Sequence, residues 1–215
     1  MKKTILLLTT LLSTTLFAQF NSNISEITPE VKDRMIEGNS WREGCPVALK
    51  DLRYLQMSYL DFDAKVQMGE MIVHKDISND VIYIFEELFE KNYAINKIEL
   101  VSNYKGKDFD SIEADNTSAF NCRPVTGKKK KWSQHAYGKA IDINPIENPY
   151  VSKTGYIAHK ASLKYRRREH KDIHNLADRA LLLKKDIATK IFLDHGWQWG
   201  GDWKSIKDYQ HFVKR

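Results

Sequence analysis

The amino-acid sequence predicts an α+β fold in which a small, mainly antiparallel sheet is flanked by helices. The chain has 215 residues, of which 42% are hydrophobic, so it is long enough to bury one core and short enough for one main domain. Helix-like and strand-like segments are mixed along it without the regular strand–helix alternation of a parallel sheet. No internal repeat or low-complexity tract interrupts them.

Three segments have the pattern of helices. Residues 25–38 begin with a capping residue, contain an early proline and end at a glycine. Residues 78–92 begin at Ser78, a candidate N-cap, and place their apolar side chains on one helical face. The apolar segment 181–196 stops at Gly196. We therefore expect one short helix near the N-terminus and two helices farther along the chain.

Five segments have the pattern of strands, bounded by turn signals: residues 52–62, 67–74, 95–104, 135–145 and 208–215. The first two alternate and are rich in large apolar and aromatic residues. Between the last two lies a polar, basic stretch, residues 150–178, which we expect to be partly helical. Two interpretations of that stretch stay open, a wall or lid of a cleft that sets specificity and an ordinary surface loop.

The N-terminus has the pattern of a secretory signal peptide. Lys2 and Lys3 precede an apolar run over residues 5–17, and the small residue Ala18 follows. A membrane-spanning helix usually needs about 18 or more apolar residues, which favours a cleaved signal over an anchor. We predict a signal peptide over residues 1–18, an N-terminal helical segment over 19–44 and the main domain over 45–215. The mature protein is expected to be exported, to the periplasm or to the cell wall and extracellular space, with no stable membrane anchor.

The charge pattern argues against nucleic acid as a partner. The formal charge of +6 is modest, and the two basic runs, residues 128–131 and 166–171, could be interpreted as nucleic-acid patches. Export and the lack of a nucleic-acid-binding motif favour solvated surface charges. Contact with the carboxylates of a cell wall is the alternative.

The two cysteines, Cys45 and Cys122, form an even pair, which in an exported protein predicts a disulfide. Closing a loop of this length stabilises a fold by about 4 kcal/mol in the chain-entropy model. A catalytic thiolate or a metal ligand at Cys122 is the alternative. Catalysis would need a partner histidine and a free thiol.

The stretch "WSQHAYGKAIDINP" contains a histidine and an aspartate seven residues apart, His135 and Asp142. In a flat strand an odd separation places the two side chains on opposite faces, so they could not share a metal ion. Gly138 lies between them, where a bulge or tight bend can re-aim one side chain. The pair can therefore form one site if the chain is bent at Gly138.

The C-terminal stretch "GWQWGGDWKSIKDYQHF" supplies further candidate side chains. It contains three of the five tryptophans, together with Asp208 and His211. Because Asp208 and His211 are three residues apart, one can bind a metal while the other acts as a base beside it. Catalytic zinc sites use three protein ligands drawn from imidazole nitrogens and carboxylate oxygens. An aromatic-rich structural hairpin, with Asp208 in an ion pair, is the alternative.

Three stretches resemble a known family. "SQHAYGKAIDI" resembles the S-x-H-x-x-G-x-A-x-D signature of the D-alanyl-D-alanine carboxypeptidase and L-alanyl-D-glutamate endopeptidase family, zinc peptidases of bacterial peptidoglycan that share a fold with the hedgehog signalling domain. The C-terminal stretch resembles the closing D-x-x-H segment of that family. "DNTSAFNCRPV" resembles its segment with a substrate-binding arginine. The resemblance covers residues 45–215, and it is strongest over 116–148 and 196–212.

The resemblance implies a role for each candidate residue. His135, Asp142 and His211 would bind one zinc ion, and Asp208 would be the catalytic carboxylate. Arg123 would bind substrate and stabilise the oxyanion, and Ser133 would help to position substrate. The same resemblance implies a hedgehog/DD-peptidase-like fold for the domain over residues 45–215.

We therefore expect an exported zinc metallopeptidase that hydrolyses peptide bonds in peptidoglycan stem peptides and acts as a monomer. The D-alanyl-D-alanine carboxypeptidase type is favoured, with an L-alanyl-D-glutamate endopeptidase as the alternative. A third interpretation belongs to another class, a non-catalytic cell-wall binding module that zinc stabilises. Asp208 discriminates between the classes, because a purely structural zinc site does not require it.

Overall fold

A computed structural model describes residues 19–215 of the chain. The predicted signal peptide, residues 1–18, lies outside the described residues. Within the described part, no helix is long and apolar enough to cross a membrane. The elements are α-helices, short 3₁₀ turns and small antiparallel sheets, so the predicted α+β fold is confirmed.

The larger sheet is built from the two best-predicted strands. Strands β1 (Ser22–Ser25), β2 (Leu52–Leu60) and β3 (Val66–His74) pair antiparallel in that order. The side chains of β2 and β3 alternate between two apolar clusters, so that one face of this sheet packs in the main core and the other packs against α1. The polar strand β1 has no hydrophobic pattern of its own, and its pairing with β2 attaches the N-terminal segment to the main domain.

Two helices pack on this sheet. Helix α1 (Pro29–Glu37) begins where the Thr28 hydroxyl accepts a hydrogen bond from Val31 N, and it ends at Gly38. Helix α2 (Ser78–Glu90) buries the predicted apolar face. Ser78 is the first residue of α2 and not its N-cap, because its hydroxyl donates to the Lys75 carbonyl of the preceding 3₁₀ turn.

A second sheet holds the C-terminal end of the chain. It consists of β6 (Ala140–Asp142), β8 (Gln198–Trp199) and β10 (His211–Val213), with β10 in the middle. Helix α5 (Ile187–Asp194) packs behind it, and the rings of Phe192 and Phe212 stack with centroids 4.0 Å apart. Side chains of both sheets, α2 and α5 share one hydrophobic core.

The remaining elements are short. They are α3 (Asp108–Glu113), β4 (Pro124–Val125), β5 (Lys128–Trp132), β7 (Tyr150–Val151), α4 (Leu176–Arg179) and β9 (Lys207–Asp208), with β4 paired to β5 and β7 to β9. The basic stretch 150–178 is partly helical, as expected, with a 3₁₀ turn over Lys160–Tyr165 and α4.

The strand predicted over residues 95–104 is wrong. The segment makes one isolated bridge, from Ile98 to Thr117, and then a 3₁₀ turn over Val101–Tyr104. Its backbone N–H groups at Asn96 and Glu99 donate to asparagine side chains rather than to a neighbouring strand. The apolar side chains that suggested a strand are buried in the core. Ile95 N donates to the Leu60 carbonyl and the Ile98 carbonyl accepts from Glu70 N, but these single bonds do not extend into a strand ladder.

The structure joins Cys45 to Cys122 in a disulfide with a Cα–Cα distance of 5.8 Å. The bond connects the loop after α1 to the segment that leads into β4, 77 residues later in sequence. The Arg42 guanidinium donates to the Cys122 carbonyl at 2.7 Å and holds the same segment. Arg123 follows directly, so its backbone is fixed from two sides.

Candidate metal centre

His135 lies on a 3₁₀ turn, not on a strand. The turn spans Gln134–Tyr137, and the Ser133 hydroxyl caps it by accepting the His135 backbone N–H at 3.3 Å. Gly138 ends the turn with φ +66°, in the left-handed region. The strand predicted over residues 135–145 is therefore wrong in its first half, and the chain is bent at Gly138. This bend removes the objection that His135 and Asp142 would face apart.

Asp142 and His211 are brought together by the second sheet. Asp142 ends β6, His211 begins β10, and the two residues are directly opposite in the antiparallel register. Side chains of directly opposite residues lie on the same face of a sheet, with Cβ atoms about 5 Å apart. The register alone therefore places this carboxylate beside this imidazole.

The three side chains converge on one point. Asp142 Oδ2 lies 3.1 Å from His135 Nε2, and Asp142 Oδ1 lies 2.9 Å from His211 Nδ1. The two imidazole nitrogens are 3.2 Å apart. One ligand atom from each residue lies within 4.8 Å of the others, and all three residues are buried.

The tautomer of His135 is set by the backbone. His135 Nδ1 lies 2.6 Å from the carbonyl oxygen of Ala119, which can only accept a hydrogen bond, so Nδ1 carries the proton. The lone pair of the neutral ring is then on Nε2, the atom that faces Asp142 and His211. This arrangement orients a metal ligand through a hydrogen bond to its far nitrogen.

Asp142 is an anion in this site. Burial by itself raises the pKa of Asp142, but the hydrogen bonds of His135 and His211, and the charge of each ring when it is protonated, outweigh burial and hold the pKa below its usual range. Two imidazole nitrogens and one ionised carboxylate oxygen, shielded from solvent, form the donor set that zinc prefers. The residues present therefore fit a zinc ion.

Asp208 lies on β9, three residues before His211, and is half-buried. Its Oδ1 atom is shielded from solvent and has no hydrogen-bond partner among the described residues. Burial raises the pKa of Asp208 to about 7, and the Asp142 and Asp108 charges act in the same direction, against His211 and Arg123. The carboxyl group can therefore exchange a proton near neutral pH.

The backbone of Gly200 sets the position of Asp208. A Cβ atom on Gly200 would lie 2.4 Å from the carbonyl oxygen of Asp208 and 2.9 Å from its Cβ. Any side chain at residue 200 would therefore displace Asp208 or the segment that carries it. The close approach to Asp208 therefore explains why residue 200, the first glycine of the "WGGDW" stretch, has no side chain.

Arg123 contributes a cation at the edge of the site. Its Nε atom lies 2.9 Å from Asp108 Oδ1 at the start of α3, an ion-pair contact without the alignment of a hydrogen bond. The charges of both Arg123 and Asp108 act on Asp208. Ser133, the other candidate for substrate contact, caps the His135 turn as described above, and its role toward substrate stays a prediction.

Several residues near the site were not predicted. The Ala119 carbonyl is a backbone group, so no residue type could have signalled it, and Asp108 is one of several acids on a short helix. The ring of Trp203 lies with its centroid 5.4 Å from that of His211. Tyr150 on β7 is directly opposite Asp208 on β9. The tryptophan-rich stretch signalled Trp203, whereas no pattern signalled Tyr150.

Replacing Gly138 by alanine is expected to destabilise the protein and weaken metal binding. A non-glycine residue in the left-handed region costs about 1–2 kcal/mol, and the added Cβ would also lie 2.6 Å from the backbone nitrogen of His74. Gly127→Ala is the matched control, because Gly127 has φ +76° and open space around its Cβ position. Thermal unfolding and zinc titration should show a larger loss for Gly138→Ala, and equal losses would contradict the role of the close approach.

The comparison with protein families covers the segment that carries this site. Residues 126–214 match the model of the D-alanyl-D-alanine carboxypeptidase family. The matched range contains His135, Asp142, Asp208 and His211, and it excludes Arg123. Searches of curated proteins and of solved structures found no match. Over residues 126–214 the match confirms the resemblance found in the sequence, and it supports a peptidase.

Proposed function

We propose, from the membership of residues 126–214 in the D-alanyl-D-alanine carboxypeptidase family, that the protein is an exported zinc metallopeptidase of peptidoglycan stem peptides. The observation that carries the proposal is the convergence of His135, Asp142 and His211 near the unpartnered, buried carboxyl oxygen of Asp208. A metal-ligand set with an acid–base group beside it is what peptide hydrolysis requires.

His135, Asp142 and His211 would hold the zinc ion, which when bound polarises a carbonyl and lowers the pKa of a water molecule toward neutrality. The protein supplies the proton transfer. Because the pKa of Asp208 is about 7, its carboxylate can accept a proton from the attacking water and its carboxylic acid can give one to the leaving amine.

Arg123 would bind the negative charge of the substrate. Its Nε atom faces Asp108 and its Nη1 atom donates to the Pro124 carbonyl at 3.5 Å, so its Nη2 atom can meet a carboxylate or a developing oxyanion. Every substrate of a carboxypeptidase has a C-terminal carboxylate that an arginine can bind. This arginine therefore favours a carboxypeptidase over an endopeptidase. Ser133 would help to position substrate.

A zinc-stabilised binding module is the competing class. Such a module would not need an acid with a raised pKa beside its metal ligands, since an ionisable group that burial destabilises has a cost for folding. Asp208 therefore favours the enzyme. Digestion of muropeptides separates the two classes.

The test is digestion of purified muropeptides by the mature protein, with products identified by mass spectrometry. We expect loss of the terminal D-alanine from pentapeptide stems, abolished by a chelator and restored by zinc. Cleavage between L-alanine and D-glutamate would replace the carboxypeptidase assignment by the endopeptidase one. Zinc-loaded protein that binds muropeptides without any product would support the binding module instead.

A further inference from the structure

The loop over residues 150–168, which we call the basic loop, begins and ends beside Asp208. Its first residue, Tyr150, is directly opposite Asp208 in the pairing of β7 with β9. Its last residue, Arg168, places its guanidinium carbon 4.3 Å from the ring centroid of Tyr209. Both ends of the loop therefore contact the segment that carries the proposed catalytic carboxylate.

The basic loop is fixed to the body of the protein. The Arg168 side chain donates to Asn148 Oδ1 at 2.7 Å. His159 lies 2.5 Å from a carboxylate oxygen of Glu113 on α3, and its ring stacks on Phe109 at 4.3 Å. Contacts in the middle and at both ends therefore hold the loop in one place, so that its exposed side chains form a defined surface.

The charge of this loop is unlike that of the rest of the chain. It contains six basic residues and no acidic one, whereas the other residues contain 28 basic and 28 acidic side chains. The whole formal excess of +6 therefore lies within 19 residues. Apart from the half-buried Arg168, the basic side chains are exposed: Lys153, Lys160, Lys164, Arg166 and Arg167.

Four of the five exposed cations have no carboxylate within 4 Å in the part of the chain that the structure describes. One of the exposed five, Arg167, has a carboxylate within 4 Å, that of Glu169 at 3.8 Å, and both side chains are largely in solvent. The loop also exposes Tyr150, Tyr156 and Leu163, whose relative accessibilities are 44%, 65% and 46%. A surface with unpaired cations and exposed rings suits a polymer that bears both carboxylates and apolar or sugar faces.

From this placement we infer that the basic loop is a docking surface for the carboxylate-bearing meshwork of peptidoglycan, distinct from the contacts that hold one stem peptide at the metal centre. The inference rests on the proposed function. The loop would raise the concentration of polymer at the site through long-range attraction, which acts on the encounter rate and falls as salt is added. Nucleic acid is also anionic, but it would not bring a peptide bond to Asp208.

The test compares two substrates of the same enzyme. The double variant Arg166→Gln/Arg167→Gln removes two exposed charges, and Lys32→Gln/Lys91→Gln on α1 and at the end of α2 is the matched control, because both lysines are exposed and have no ion-pair partner among the described residues. Rates are measured on insoluble sacculi and on a soluble muropeptide. We expect the rate of the loop variant on sacculi at low salt to be about tenfold lower than that of wild type, because each basic residue contributes to the attraction to an anionic surface. Its rate on the soluble muropeptide should be unchanged.

Cosedimentation with sacculi gives a second readout that does not need catalysis. Wild type and control should bind more than the loop variant does, and the difference should disappear at high salt. Equal binding and equal rates on sacculi for the two double variants would overturn the inference, as would salt-sensitive binding to DNA without binding to sacculi. Failure of the wild type on the soluble muropeptide would count against the proposed function, and the binding assay would still decide on the loop.

Discussion

The variant Asp208→Asn is expected to retain zinc and to lose turnover by about 10²–10⁴-fold, the usual contribution of a general acid–base group. Asparagine has nearly the shape of aspartic acid but cannot accept the proton of an attacking water. Because Asp208 lies outside the three-residue ligand set, bound metal should be unchanged. The measurements are kcat on a pentapeptide substrate and zinc content by elemental analysis.

The control for this variant is Asp202→Asn. Asp202 lies six residues earlier in the same C-terminal segment and pairs at the surface with Lys184 at 2.9 Å, so the substitution is chemically identical but outside the site. It should keep its turnover. Since burial destabilises the charged form of Asp208, the melting temperature of Asp208→Asn should not fall below that of wild type at pH 8. Full activity of Asp208→Asn would contradict the role assigned to this carboxylate.

His211→Ala is expected to abolish both zinc binding and hydrolysis. The substitution removes one of three ligands and leaves Asp142 buried with a single imidazole partner. Removing one member of a buried charged pair typically costs about 3–5 kcal/mol of stability. Zinc titration followed by calorimetry, activity on the same pentapeptide and thermal unfolding measure the three effects.

His174→Ala serves as the control, because His174 is exposed and lies outside the cluster. If His211→Ala failed to fold, measurements on the wild-type protein would still test whether activity requires zinc. Chelation should then remove its activity, and one equivalent of zinc should restore it. Zinc binding of normal affinity to a folded His211→Ala variant would contradict the proposed ligand set.

The sequence was informative where hydrophobic periodicity and backbone pairing agree. The strands β2 and β3 and the helix α2 bury the residues that the pattern marked, so their existence and type were predicted. Residues 95–104 show the limit, because buried apolar side chains do not reveal whether the adjacent N–H groups bond to a strand or to asparagine side chains. That choice depends on segments distant in sequence.

The same limit applies to the site. Two motifs placed His135, Asp142, Asp208 and His211 in one hypothesis, and the structure brings His135, Asp142 and His211 together. Arg168 could not be separated from its neighbours, since a run of three arginines gives no sign that the third turns inward. Its burial lowers its pKa to about 10, so it remains a cation inside the protein. The orientation of the Arg168 side chain depends on contacts with Asn148 and Tyr209, which are far apart in sequence.

The register of β6 with β10 has a consequence for the unfolded chain. Asp142 and His211 are 69 residues apart in sequence, and their strands pair over three residues each. A metal ion bound between them would act as a reversible cross-link that closes this long loop, and it would oppose fraying of the C-terminal strand. Folding and metal uptake would then be coupled by mass action, so that the concentration of free zinc in the surroundings sets how firmly the end of the chain is held.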